Sequence, residues 1–332
     1  MEIIKVEHLT KDYGNNRGVF DISFSLTKGE AVAFLGPNGA GKTTTIRNLM
    51  GFIQPKNGAA SVMSMNSWLQ ANDIQNYLGY IPGEISLPYD ITVEKYFKTL
   101  GHLRKMESLT KAHELMEMFE LNPKGKIKRM SKGMKQKISI VAAFMHDPKV
   151  LILDEPMSGL DPLMQNRFAE LINQEKAREK TILMSSHIFE NIEKTCDRII
   201  MIKEGKIIET PNNGLLVNAK EKMFKVCFKD IESKNKFTAA YGRVVEDHGN
   251  TANTFKEIDA EDSDNLAVAA DCKDYHDITA SNGEISVKVP VPHGKTNDFI
   301  SALNGCDVQT FTEVENFLSE YFMKYYGGEI DE

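Results

Sequence analysis

From Glu2 to Glu7 apolar and polar residues alternate, and they do so again from Val19 to Leu26. A period of two is the mark of a half-buried strand, so strands are expected over about 2–10 and 19–26. Between them Leu9-Thr10-Lys11-Asp12-Tyr13-Gly14 reads as a polar turn carrying one aromatic ring. Ala31 to Leu35 and Val150 to Leu153 are instead apolar without a break. Such runs suit strands of a parallel sheet buried on both faces. Further strands are expected at Leu78–Ile81, ended by Pro82-Gly83, at Thr181–Ser186, at Arg198–Ile202 and at Lys206–Glu209.

Between these runs the spacing changes to about 3.6. A helix is expected through Thr44, Ile46, Leu49 and Met50, with Gly51 as its cap. Others run through Val93, Tyr96, Phe97 and Leu100, then through Ala112, Leu115, Met116 and Phe119. With the helix after Ser131 these form a helical block over about 85–145. A further helix is marked by Leu163, Phe168, Leu171 and Ile172. Strand and helix thus alternate, the pattern of a mainly parallel α/β sheet.

Past residue 215 the texture changes. Strands are expected at 223–228 and 284–289, and helices at 296–303 and 313–326. In the last, Val314, Phe317, Leu318, Tyr321, Phe322 and Tyr325 line one face, and Thr312 with Glu315 matches a capping box. Packing onto its own small sheet is the plain reading of that stripe.

Composition adds a boundary and a few exclusions. The formal charge is −7 overall, but residues 1–212 carry +3 and residues 213–332 carry −10. The change falls beside Pro211-Asn212-Asn213-Gly214, a turn-rich cluster, so two domains are expected, 1–212 and 215–332. An acidic second half argues against binding nucleic acid there. No apolar run approaches the length of a membrane span, and no secretory leader is expected. Cys196, Cys227, Cys272 and Cys306 lack C-x-x-C spacing, so reduced thiols are expected rather than disulfides or zinc.

The chemistry centres on Gly36-Pro37-Asn38-Gly39-Ala40-Gly41-Lys42-Thr43-Thr44, which fits G-x-x-x-x-G-K-[ST] between a strand and a helix. Backbone N–H groups of such a loop face a phosphate chain, and the helix adds its positive end. Lys42 is placed for the β- and γ-phosphates and the Thr43 hydroxyl for Mg²⁺. Asp154 and Glu155 end a buried strand, where ligands bind in open α/β sheets. Asp154 is the second metal ligand, and Glu155, pointing differently, is placed to polarise water. The expected ligand is a nucleoside triphosphate with Mg²⁺.

With these residues in view, the chain up to about 212 resembles the ATP-binding subunits of ABC transporters. Five motifs occur in that family's order: the phosphate loop, Met130-Ser131-Lys132-Gly133-Met134-Lys135-Gln136, the Asp154-Glu155 strand end, Ser158-Gly159-Leu160-Asp161, and His187. The resemblance implies an α/β fold, a P-loop NTPase of ABC type, with a mainly parallel sheet, antiparallel strands and a helical subdomain. A small C-terminal α/β domain follows, with dimerisation or regulation as its expected role. It further implies that Tyr13 stacks on adenine, that His187 bonds the γ-phosphate, and that Asp161 belongs to the nucleotide site. Ser131 and Gly133 would serve the γ-phosphate held by a second copy of the chain, so that two ATP molecules lie between two copies.

Two departures stand out. Ser-Lys-Gly-Met in the signature resembles exporter-type subunits more than nutrient importers. Where the family has a metal-touching glutamine after the strand ending at Pro82, this chain has Gly83, with Glu84 next. The expected function is ATP hydrolysis that powers transport, most simply export, through separate multi-span membrane subunits at the inner face of the cell membrane. The rival readings are a soluble ABC-type ATPase and an importer subunit with a regulatory tail.

Overall fold

The computed structural model describes residues 1–186, 192, 194–209, 222–241, 245–246, 285–291 and 294–313. The chain divides between residues 211 and 212 into two compact units.

The first unit carries two sheets. One is antiparallel, order β2-β1-β4-β5, from β1 (Glu2–Asp12), β2 (Gly18–Thr27), β4 (Asn57–Val62) and β5 (Met65–Asn66). The expected turn at Leu9–Asp12 lies inside β1, where Leu9 faces Ile22 and Lys11 faces Val19. The register shifts between Val6 and Leu9, and His8 sits at φ 48°. That bulge resets the alternation, which is why the pattern breaks off before the strand does. Ile4, Val6, Leu9, Ile22 and Leu26 all point into the core, together with Phe34, Ile152 and Ile200 of the second sheet.

The second sheet runs β10-β9-β3-β8-β7-β6. Its members are β3 (Ala31–Leu35), β6 (Leu78–Ile81), β7 (Val150–Asp154), β8 (Thr181–Ser186), β9 (Arg198–Lys203) and β10 (Lys206–Glu209). Only β10 runs antiparallel to its neighbour. Every residue of β3, β7 and β8 is buried, as their unbroken apolar runs require. This order places β8 between the strand that feeds the phosphate loop and the strand that ends in acids. Phe34 pairs with Ser185 on one side, and Asp154 pairs with Ser185 on the other.

The helices that accompany these sheets include α1 (Lys42–Leu49), α2 (Ala71–Ile74), α3 (Val93–Leu103), α4 (Thr110–Met118), α5 (Lys132–Phe144) and α6 (Pro162–Ala177). Side chains start three of them. Thr92 caps α3, Ser131 caps α5 and Asp161 caps α6, each accepting an N–H from the first turn. No described helix is long and apolar enough to cross a membrane.

A titratable group lies at the opposite end of the parallel sheet. His146 Nε2 donates to the Leu78 carbonyl at 2.9 Å. Burial, and then the charge of Arg104, pull its pKa down to about 4. The fold therefore prefers neutral imidazole, and the preference is complete above the ordinary value near 6.5. Stability is expected to fall as pH drops from about 6.5 to about 4, by up to roughly 3 kcal/mol. Burial alone would raise the neighbouring Asp147, but hydrogen bonds from Arg178, Lys111 and Lys180 hold it well below the usual range, so its loss comes at lower pH. Urea unfolding at pH 7 and pH 5 checks this: His146→Asn should flatten the difference, and an unchanged slope would refute it.

Among the described residues, the second unit holds a four-stranded antiparallel sheet, order β12-β13-β11-β14. It comprises β11 (Lys222–Phe228), β12 (Val245–Glu246), β13 (Ile285–Val291) and β14 (Val308–Glu313), with helices α7 (Ile231–Tyr241) and α8 (Thr296–Ala302). Val226, Phe228, Phe237, Val287, Val289 and Phe299 form its core. β11, β13 and the helix at 296 stand where the pattern puts them, whereas β12 and β14 were not expected. Helix α7 has too weak an apolar stripe to be read, with Ser233 and Phe237 as its buried residues. The helix expected from 313 is corrected at its start: Thr312 and Glu313 belong to β14, paired with Lys225 and Phe224. The rest of that helix and its stripe lie outside the described residues.

Candidate nucleotide site

The site grows from the ends of β3, β7 and β8. The chain leaves β3 at Gly36, where a Cβ would lie 2.3 Å from the carbonyl oxygen of Ile202. Only glycine allows that approach, and it turns the loop back over the strand end. Gly41 closes the loop at φ 113°, a conformation that glycine accepts without strain, and α1 starts at the next residue. The loop's N–H groups and the start of α1 then converge on one small volume.

Lys42 is 6% exposed, an unusual depth for a lysine. Its Nζ donates to the carbonyls of Gly36 at 2.5 Å and Pro37 at 3.3 Å, and lies 3.5 Å from Glu155 Oε1. Thr43 Oγ1 donates to Asp154 Oδ2 at 2.8 Å. The other oxygen, Oδ1, accepts from Ser185 Oγ at 2.6 Å. Glu155 follows at φ 48°, in the left-handed region, and its N–H donates to Ser185 Oγ at 2.9 Å. That backbone turn points the two adjacent carboxylates differently: one meets Thr43, the other Lys42.

A cavity of about 500 Å³ opens over these groups, lined among others by Tyr13, Arg17, Asn38, Gly39, Thr44 and Glu155. Its size suits a nucleotide. Tyr13 stands at its edge, 53% exposed, in a turn closed by its own N–H donating to the Arg17 carbonyl at 2.9 Å. Lys11 Nζ stands 5.8 Å from the ring centroid, and the exposed ring has a second face to offer a base. Hard oxygen ligands suit Mg²⁺, which takes one or two protein groups plus phosphates. Thr43 and Asp154, already paired at the cavity floor, fit that demand. No described group of three or more acidic, His or Cys side chains forms a larger metal cage.

Ser131, Gly133 and Asp161 are not among the residues lining this cavity. They lie together on a second surface. Ser131 caps α5, and Gly133 packs so closely on the following loop that a Cβ would meet the Gly159 carbonyl oxygen at 2.4 Å. Gln136 Nε2, buried, donates to the Pro156 carbonyl at 2.7 Å and ties this helix to the residue after Glu155. His187 lies outside the described residues. Gly83 comes alongside Asp154, where a Cβ would stand 3.0 Å from Oδ2, while Glu84 is exposed. Arg17 and Ser185 escaped the sequence reading, and Gln136 enters it only as the end of the signature stretch, with no role of its own. Arg17 had a signal in its place after the aromatic turn; Ser185 and Gln136 act through contacts between distant strands and helices.

A family described as ABC transporter matches residues 19–158. The ABC transporter ATP-binding protein NatA of Bacillus subtilis is 36% identical over 198 residues, covering 58% of this chain and 80% of that one. The bacitracin transport ATP-binding protein BcrA of Bacillus licheniformis is 30% identical over 332 residues, 98% of each chain. Among solved structures, an ATP-binding subunit of an ABC transporter superposes with a TM-score of 0.58 at 31% identity, covering 63% of this chain and 89% of that one.

Proposed function

The chain belongs to the ATP-binding proteins of ABC transporters, and from that premise we propose that it works as a dimer around two Mg-ATP molecules and powers export through separate multi-span membrane subunits. The observation that carries the reading is the meeting of four groups at one strand end: Thr43 on Asp154, and Lys42 beside Glu155. A nucleotide needs each of them. The loop's N–H groups and Lys42 take the phosphates, with Lys42 exchanging its carbonyl contacts for phosphate oxygens. Thr43 and Asp154 would hold Mg²⁺, which when bound neutralises charge developing on the transferred phosphate. The Glu155 carboxylate orients and deprotonates the attacking water, and His187, next in sequence after β8, bonds the γ-phosphate. Tyr13 stacks on adenine, while Asn38, Gly39, Gly41 and Thr44 line the phosphate path.

The second surface completes the site from a second copy. Ser131, the N–H of Gly133 and the positive end of α5 suit a γ-phosphate, with Asp161 in the adjoining loop. Their absence from the lining of the chain's own cavity supports completion across an interface. In this reading residues 1–212 are the ATPase domain, and the helical block over about 85–145 receives the membrane subunit. Residues 215–332 form a dimerisation or regulatory module; the likeness to the bacitracin transport protein extends through them, which supports export. The chain then sits peripherally on the inner face of the membrane and needs no nucleic acid.

Purification from detergent-solubilised membranes tests this. A multi-span protein is expected to co-purify in a fixed ratio, and its addition should raise ATP turnover. A chain found wholly in the soluble fraction with no membrane protein attached would instead establish the soluble-ATPase alternative.

A further inference from the structure

We propose that Ser185 is a positioning residue that sets both carboxylates of the hydrolytic site at once, an inference resting on the roles given above to Asp154 and Glu155. Its side chain is fully buried in β8, flanked by Phe34 of β3 and Asp154 of β7. A hydroxyl has one proton to give and lone pairs to receive. Here the proton goes to Asp154 Oδ1 at 2.6 Å, and a lone pair accepts the Glu155 N–H at 2.9 Å. Each partner bond has a separate effect.

The bond to Oδ1 leaves Asp154 only one orientation. With Thr43 donating to Oδ2 at 2.8 Å, the carboxylate is held at both oxygens, and Oδ2 is the one turned toward the metal position. Gly83, in the loop after β6, comes alongside Oδ2 with no side chain of its own. The bond from the Glu155 N–H fixes the residue at φ 48°, where the direction of its side chain depends on the backbone staying put. Without the hydroxyl that N–H loses its Ser185 acceptor, and the hold on the left-handed turn at Glu155 is weakened. Ser185 thereby couples metal placement to water activation through one atom. Groups that orient a metal ligand in this way typically cost about 10- to 100-fold in metal affinity or activity when removed.

The test uses the full chain with Ser185→Ala, Ser185→Cys and Ser185→Thr. For Ser185→Ala and Ser185→Cys, kcat should fall about 10- to 100-fold while KM for ATP moves no more than about 3-fold. Mn²⁺ affinity, read by electron paramagnetic resonance with a non-hydrolysable ATP analogue, should weaken about 10-fold. Nucleotide binding in EDTA should not change. Cysteine keeps the shape but bonds weakly, so its failure separates hydrogen bonding from packing; Ser185→Thr keeps the hydroxyl and should recover most of the loss. Wild-type kcat and Mn²⁺ affinity in Ser185→Ala would overturn the proposal, as would losses in all three variants that simply follow their thermal midpoints. An inert Glu155→Gln beside a normal Ser185→Ala defeats only the role of Ser185, whereas a fully active Glu155→Gln defeats the underlying reading of the site.

Discussion

Glu155→Gln should lower ATP hydrolysis about 100- to 1,000-fold while leaving Mg-ATP affinity within a few fold. The substitution keeps size and shape, so the left-handed turn and the N–H bond to Ser185 survive. What is lost is a basic oxygen able to take a proton from water, and a negative charge 3.5 Å from Lys42. Releasing Lys42 from that charge favours its transfer to the phosphates, so binding should hold or tighten. With hydrolysis blocked, the two-nucleotide state accumulates. Sedimentation of the variant with saturating ATP and Mg²⁺ should show a dimer, and removal of Mg²⁺ by EDTA should slow whatever turnover remains. A variant that stays monomeric under those conditions, with no membrane subunit needed, would sink the dimer reading. Unchanged turnover would remove Glu155 from the chemistry.

The parts of this protein visible in the sequence are those whose physics is local. The phosphate loop declares itself because its glycines, lysine and threonine act within nine residues of one another. The buried strands are legible because a strand covered on both faces must be apolar throughout, as β3, β7 and β8 are. Helix starts at Thr92, Ser131 and Asp161 are legible because a cap is a contact between near neighbours. Contacts that span the chain leave no such trace. Ser185 meets Asp154 across 31 positions, and Gln136 meets Pro156 across 20. Nothing in Thr181–Ser186 distinguishes a serine that holds two carboxylates from one that merely ends a strand.

The same rule explains the misreadings. Leu9–Asp12 looked like a turn because a bulge at His8 shifts the phase of the side chains, although the strand continues. Thr312 looked like a helix cap because its near neighbours allow one, but pairing with Lys225 holds it in a strand. In each case a long-range partner overrode a local preference.

Gly133→Asp should abolish hydrolysis, by about 100-fold or more, without weakening nucleotide binding to the isolated chain. The steric cause is plain. A Cβ at this position would lie 2.4 Å from the carbonyl oxygen of Gly159, and both groups are backbone, so the start of α5 must move away from the following loop. Aspartate adds a negative charge to the helix end meant for phosphate, which compounds the effect. Lys42, Thr43 and Asp154 lie on other elements and keep their contacts, so one half of the site survives intact. Lys42→Ala makes the opposite lesion: a damaged phosphate loop with an undamaged α5. Each variant alone should be inactive. Mixed one to one, they should regain up to about a quarter of wild-type turnover, since half the dimers are mixed and each has one intact composite site. Steady-state phosphate release from the mixture, with thermal midpoints for both variants, makes the measurement. If each chain held a complete site, mixing would restore nothing, because every site would carry a lesion of its own.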